Sequence, residues 1–169
     1  MSVAARDARP TTDGFVRLVA SMRLHSDPDR VAVLLDEGDM PWAEGLIARP
    51  ETPDLRRYAV DLRLRVGGET AALTTFSKAA YLDLGWPRRT AGGWQAEISW
   101  RASRAAPLFP VFSGWLIIGP DELRIEGLYA PPGGVVGRVA DRLLLHVAAN
   151  ATARWLLNEI DCAALAAAG

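Results

Sequence analysis

Tyr58, Val60, Leu62, Leu64 and Val66 alternate with Asp61, Arg63 and Arg65. Only a strand sorts such a run into an apolar and a polar face, because successive strand side chains point to opposite sides. Beyond residue 57 further strand-like segments follow one another with short turns and no helix between them. Gly67-Gly68-Glu69 reads as a hairpin turn, and residues 71–84 are β-leaning but alternate poorly. After a polar turn from Pro87 to Gly93, Trp94, Ala96, Ile98 and Trp100 face away from Gln95, Glu97, Ser99 and Arg101. Val111 to Ile118 is apolar on both faces. Gly119-Pro120-Asp121 turns the chain into Leu123, Ile125, Gly127 and Tyr129, set against Arg124 and Glu126. Parallel pairing needs helical crossovers, so this succession predicts an antiparallel sheet.

Upstream, residues 1–13 read as a loose lead-in. Val16, Leu18, Ala20, Met22 and Leu24 then form one face of a first strand. Asp27, Pro28 and Asp29 are suited to cap and open a short helix carrying Val31, Leu34 and Leu35, which Gly38 ends. Met40 to Ile47 reads as a second short helix with Pro41 in its first turn, and Ala48 to Pro53 as a loop. Pro131-Pro132-Gly133-Gly134 breaks the sheet, and from Val135 to about Ile160 the chain reads as one long helix. The expectation is an α+β domain over 14–162: about six or seven antiparallel strands, two short helices after the first strand, a long C-terminal helix, and a tail over 163–169.

On that helix Arg142, His146, Asn150, Arg154 and Asn158 recur every four residues as a polar stripe. Leu144, Leu145, Ala148, Thr152, Trp155 and Leu156 lie opposite, where the sheet is expected. Ala148 and Thr152 are small for a packing face. Either the helix backbone comes close to the sheet there, or a cavity remains. Phe76, Trp94, Trp100, Trp115 and Tyr129 around one enclosure favour the cavity, and an apolar pocket with few polar groups is the usual form of a small-molecule site. The expected lining is Phe76, Tyr81, Trp94, Ile98, Trp100, Trp115, Ile125, Tyr129, Ala148, Thr152 and Trp155. A further row, Val139, Leu143, Val147 and Ala151, extends the core contact or forms the seam of a homodimer.

Chemistry-bearing residues are few. His25 and His146 are the two histidines, and both read as surface residues, so a Ser–His or Cys–His nucleophile is not expected. Cys162, the single cysteine, is expected to pack and leaves no room for a disulfide. No His pair has helical metal-ligand spacing, and no metal or cofactor is expected. The glycines of 131–137 lack the lysine and hydroxyl of a phosphate loop. A formal charge of −1 gives nucleic acid no general electrostatic reason to bind. No apolar run is long enough to span a bilayer, and the N-terminus lacks the apolar stretch of a secretory signal, so a cytoplasmic location is expected. Candidates for acid–base work inside a cavity are Tyr81, Tyr129, Thr152 and Lys78. Lys78 is the only lysine; buried, it would have a lowered pKa, but a solvent-facing strand position is the plainer reading.

Several segments resemble the START-like superfamily of polyketide cyclases, lipid-transfer domains and the birch pollen allergen, in particular its uncharacterised bacterial members. They are Ser26-Asp27-Pro28-Asp29-Arg30-Val31, Leu108-Phe109-Pro110-Val111-Phe112-Ser113-Gly114, and Leu123 to Gly134 with Gly137, Asp141-Arg142 and Ala148 to Thr152 beyond. The resemblance covers roughly residues 14–160. It implies a helix-grip fold, a curved antiparallel sheet wrapped around the C-terminal helix over a hydrophobic cavity. The implied function is binding of a hydrophobic or amphipathic small molecule, as carrier or sensor; the alternative is a cyclase, aromatase or dehydratase using the same cavity. No catalytic motif of the superfamily maps onto this chain.

Overall fold

A computed structural model describes residues 15–38, 40–47, 54–66, 74–103, 111–130 and 139–167. The expected lead-in, the loop over 48–53, the Gly67-Gly68-Glu69 turn and the Pro131–Gly134 break lie outside them. The elements are β1 (Val16–Arg23), α1 (Pro28–Glu37), β2 (Ala43–Ile47), β3 (Leu55–Val66), β4 (Thr74–Gly85), β5 (Arg88–Thr90), β6 (Gly93–Ala102), β7 (Val111–Ile118), β8 (Glu122–Ala130) and α2 (Val139–Ala166). Every pairing among them is antiparallel, in the order β1-β8-β7-β6-β4-β3-β2, with three-residue β5 paired to β6. The fold class is α+β, as the alternation predicts.

α1 forms as its capping residues dictate. The Asp27 carboxylate accepts the backbone N–H groups of Asp29 at 2.8 Å and Arg30 at 3.3 Å, meeting two of the donors a helix start leaves open. Gly38 closes the helix in the left-handed region at φ +73°, its N–H donating to the Leu34 carbonyl. Arg56 of β3 adds its guanidinium to the last carbonyls, Leu35 and Asp36. Val31, Ala32, Leu34 and Leu35 are buried.

The second short helix is not found. Ala43 closes a turn by donating its N–H to the Met40 carbonyl at 2.9 Å, and Ala43–Ile47 then pairs with β3. An eight-residue helix over Met40–Ile47 gains little against its nucleation cost. β3, twelve residues long, otherwise exposes a row of unpaired amides along its edge. The expected polar turn after Pro87 contains β5, folded back on β6 through Ala91-Gly92. α2 runs six residues beyond the expected Ile160, and Ala164 is buried.

The backbone of α2 comes close to β1 at one end of the strand order and to β3 near the other, and also meets β8 and α1. None of the intervening strands β7, β6 and β4 comes as near. The sheet therefore curves around the helix, gripping it by its two flanks, and large side chains of the middle strands occupy the arch.

Candidate ligand-binding interior

Parity along each strand decides which residues enter this arch. Leu18 and Ala20, Ile125 and Tyr129, Phe112, Leu116 and Ile118, Ala96, Ile98 and Trp100, Leu82 and Leu84, and Tyr58, Val60 and Leu62 are all buried on the concave face. From the helix come Ala148, Ala149, Thr152, Ala153, Leu156, Leu157 and Ile160. Of the expected lining, Ile98, Trp100, Ile125, Tyr129, Ala148 and Thr152 are buried in the arch. Trp94 and Trp155 are half-buried at its border. Trp94 turns its indole N–H to the Asp29 carboxylate, 2.7 Å away at the start of α1. The side chains of Phe76 and Lys78 lie outside the described residues.

Two expected residues face the other way. Trp115 is exposed on the convex face, because Phe112, Leu116 and Ile118 take the inward positions of β7. A strand apolar on both sides gives no pattern by which to choose. Tyr81 is also convex: Ala80, Leu82 and Leu84 point inward, and the Tyr81 ring lies between the guanidinium groups of Arg57 and Arg101, 5.1 and 6.0 Å from its centroid. Its neighbour Asp83 is buried yet convex, bound bidentately by Arg57 at 2.7 and 2.8 Å. Ala79 and Tyr81, apolar residues at convex positions, are what blur the alternation over 71–84.

The residue missed on β7 is Phe112. Its ring stacks on Trp100 with centroids 4.0 Å apart and an angle of 18°. It lies over the paired Gly114 and Gly127, where a Cβ at either position would come within 2.8 Å of Phe112 Cζ. Two facing strands without side chains thus give one ring its seat, and that ring supports the indole.

Polar atoms in the arch fall into two sets. Among the described residues, the Trp100 Nε1, Thr152 Oγ1 and Tyr58 Oη atoms are buried and have no hydrogen-bond partner. Tyr129 Oη, in contrast, lies 3.3 Å from Nδ1 of His146. His146 is thus half-buried and bonded to β8 rather than at the surface, and burial raises the Tyr129 pKa above the ordinary phenol value. Asn150, one turn further along α2, keeps a buried, unpartnered Oδ1. Cys162, expected to pack, is exposed.

No protein-family model matches the chain, and no curated protein matches it in sequence. Solved structures do. The di-domain ARO/CYC StfQ from the steffimycin biosynthetic pathway aligns with 92% of this chain at a TM-score of 0.54 and 13% identity; the alignment spans 52% of StfQ, about half its length. TTHA0849 from Thermus thermophilus aligns over 90% of this chain and 99% of its own, at a TM-score of 0.51 and 13% identity. The likeness is one of fold: a curved antiparallel sheet gripping a long C-terminal helix, the helix-grip arrangement. A shared fold does not by itself fix an activity. No helix among the described residues is long and apolar enough to cross a membrane.

Proposed function

We propose that the arch between the concave sheet and α2 receives a hydrophobic or amphipathic small molecule. The observation that carries this reading is that two of the orphaned polar atoms, Trp100 Nε1 and Thr152 Oγ1, are buried on the two walls of a largely apolar interior. An unmet buried donor costs about 1–3 kcal/mol, and a guest bearing an oxygen acceptor removes that cost for the indole N–H. Most of the affinity then comes from apolar surface withdrawn from water, as in other concave sites with few polar groups. The small side chains of Ala148, Ala149 and Ala153 on α2 leave the helix wall low where a guest would sit.

Two measurements test this. Native mass spectrometry of the protein purified from its own host should reveal a co-purified small molecule. Nile red should bind the unmodified protein, and Ala148→Trp should weaken that binding while the circular dichroism spectrum is kept. Dye binding unchanged by Ala148→Trp counts against the arch as the site.

A second reading, a cyclase-like enzyme, is favoured by the Tyr129–His146 pair and by the fold shared with an ARO/CYC protein. A phenol hydrogen-bonded to an imidazole can donate a proton to a ketone oxygen and recover it through the ring nitrogen. Tyr129→Phe then abolishes turnover of a poly-ketone while leaving Nile red binding intact. Equal loss of both would assign Tyr129 to binding alone.

A further inference from the structure

The convex face of the sheet carries its own surface. Phe15, Val19, Val111, Trp115 and Leu128 are each 44–51% exposed. They make up most of the exposed large hydrophobic side chains among the described residues, and all belong to β1, β8, β7 or the residue leading into β1. Apolar side chains exposed singly need no explanation, but a cluster on three adjacent strands marks a contact surface.

The charges within the cluster say what it contacts. Arg17 pairs in register with Leu128, and Val19 with Glu126. These four outward positions form one block: Arg17 and Glu126 lie on one diagonal, Val19 and Leu128 on the other. Trp115 flanks it, opposite Glu126 on β7. Among the described residues, Glu126 makes a long contact to Arg124, at 3.7 Å. A two-fold axis laid in the contact plane along the Val19–Leu128 diagonal carries Arg17 toward the partner's Glu126, and Glu126 toward the partner's Arg17. The apolar diagonal then meets its own copy. Such a self-complementary patch is what an isologous interface requires. With Arg17 and Arg124 set against Glu126 and Glu97 on this face, charges of both signs are interspersed and offer little net attraction to an anionic lipid surface.

We propose that this face joins two copies of the chain, sheet against sheet, with Arg17 and Glu126 paired across the contact. The concave interior remains free in both copies. Sheets packed face to face lie roughly 10 Å apart, room for the side chains of one such layer from each copy.

Sedimentation velocity of the full chain between micromolar and hundred-micromolar concentration tests it. The unmodified protein should shift from 18.3 kDa toward twice that mass. Trp115→Glu with Leu128→Glu should raise the dissociation constant at least tenfold. Arg17→Glu alone and Glu126→Arg alone should each self-associate at least tenfold more weakly, because like charges then meet. Mixing those two single variants should restore association, since each supplies the charge the other lacks. A protein monomeric throughout overturns the proposal. So does a dimer lost with Val147→Glu on α2 but kept with Trp115→Glu/Leu128→Glu, or a mixture that associates no better than its components. All these positions face outward, and circular dichroism verifies that each variant is folded.

Discussion

Asp161, near the end of α2, holds His25 at the exit of β1. Its Oδ2 lies 2.8 Å from the His25 Nδ1, and its Oδ1 accepts the Ser26 hydroxyl at 2.8 Å and the Ser26 and His25 backbone N–H groups at 3.0 and 3.3 Å. One buried carboxylate therefore ties the long helix to the corner where the first strand turns into α1, closing the end of the arch that α1 covers. His25 is largely exposed, so the residue that looked like a free surface histidine is one member of a fixed corner.

Burial pushes the Asp161 carboxyl toward a higher pKa, but the hydrogen bonds from His25 and Ser26 outweigh it and hold the group below its ordinary value. In the unfolded chain the same carboxyl takes up its proton first as pH falls. Its contribution to stability is therefore complete at neutral pH and is lost as pH drops from about 4 downward, through the lowered folded value. Asp161→Ala should cost about 2–3 kcal/mol at pH 7, and the gap from the unmodified protein in urea midpoint should stay constant down to about pH 4 and narrow as pH falls below it. A gap constant with pH would mean that the carboxylate's charge is not what holds the corner.

Thr152 separates stability from function. Its hydroxyl is buried without a partner, so Thr152→Val, which replaces the hydroxyl by a methyl group, should raise stability by about 1 kcal/mol. If the hydroxyl serves a guest, the same variant should bind the co-purified molecule several-fold more weakly. Thermal unfolding with and without that molecule reads both effects in one experiment. Greater stability with undiminished binding would remove Thr152 from the site.

Gly127 tests the seat of the Phe112 ring. A Cβ there would lie 2.3 Å from the Ser113 carbonyl oxygen and 2.6 Å from the Gly114 Cα, distances that backbone atoms relieve only by moving apart. Gly127→Ala should destabilise the protein by about 1–3 kcal/mol through overpacking. The Trp100–Phe112 stack should loosen with it, seen as a change in the near-ultraviolet circular dichroism of the core. Gly92, whose added Cβ would meet nothing within 4 Å, is the matched control and should tolerate alanine.

Much of this fold could be read from local pattern. Period-two runs marked β1, β3, β6 and β8 with the correct faces inward, because side-chain direction in a strand follows position alone. The Asp27 cap and the Gly38 stop bounded α1, since capping hydrogen bonds reach only a few residues. Trp100, Tyr129, Ala148 and Thr152 are buried as their positions on strand and helix predict.

What the tertiary structure decided has no local signature. Segment 43–47 became a strand because the edge of β3 needed a partner, a demand made by residues further along the chain. Phe112 rather than Trp115 turned inward because a strand apolar on both sides leaves its face to the neighbouring strands. His146 turned toward Tyr129, and Asp161 toward His25, through bonds whose partners are 17 and 136 residues apart. Alternation and capping are properties of adjacent residues and survive in the bare sequence; edge pairing, choice of face and long-range hydrogen bonds exist only once the sheet has closed around its helix.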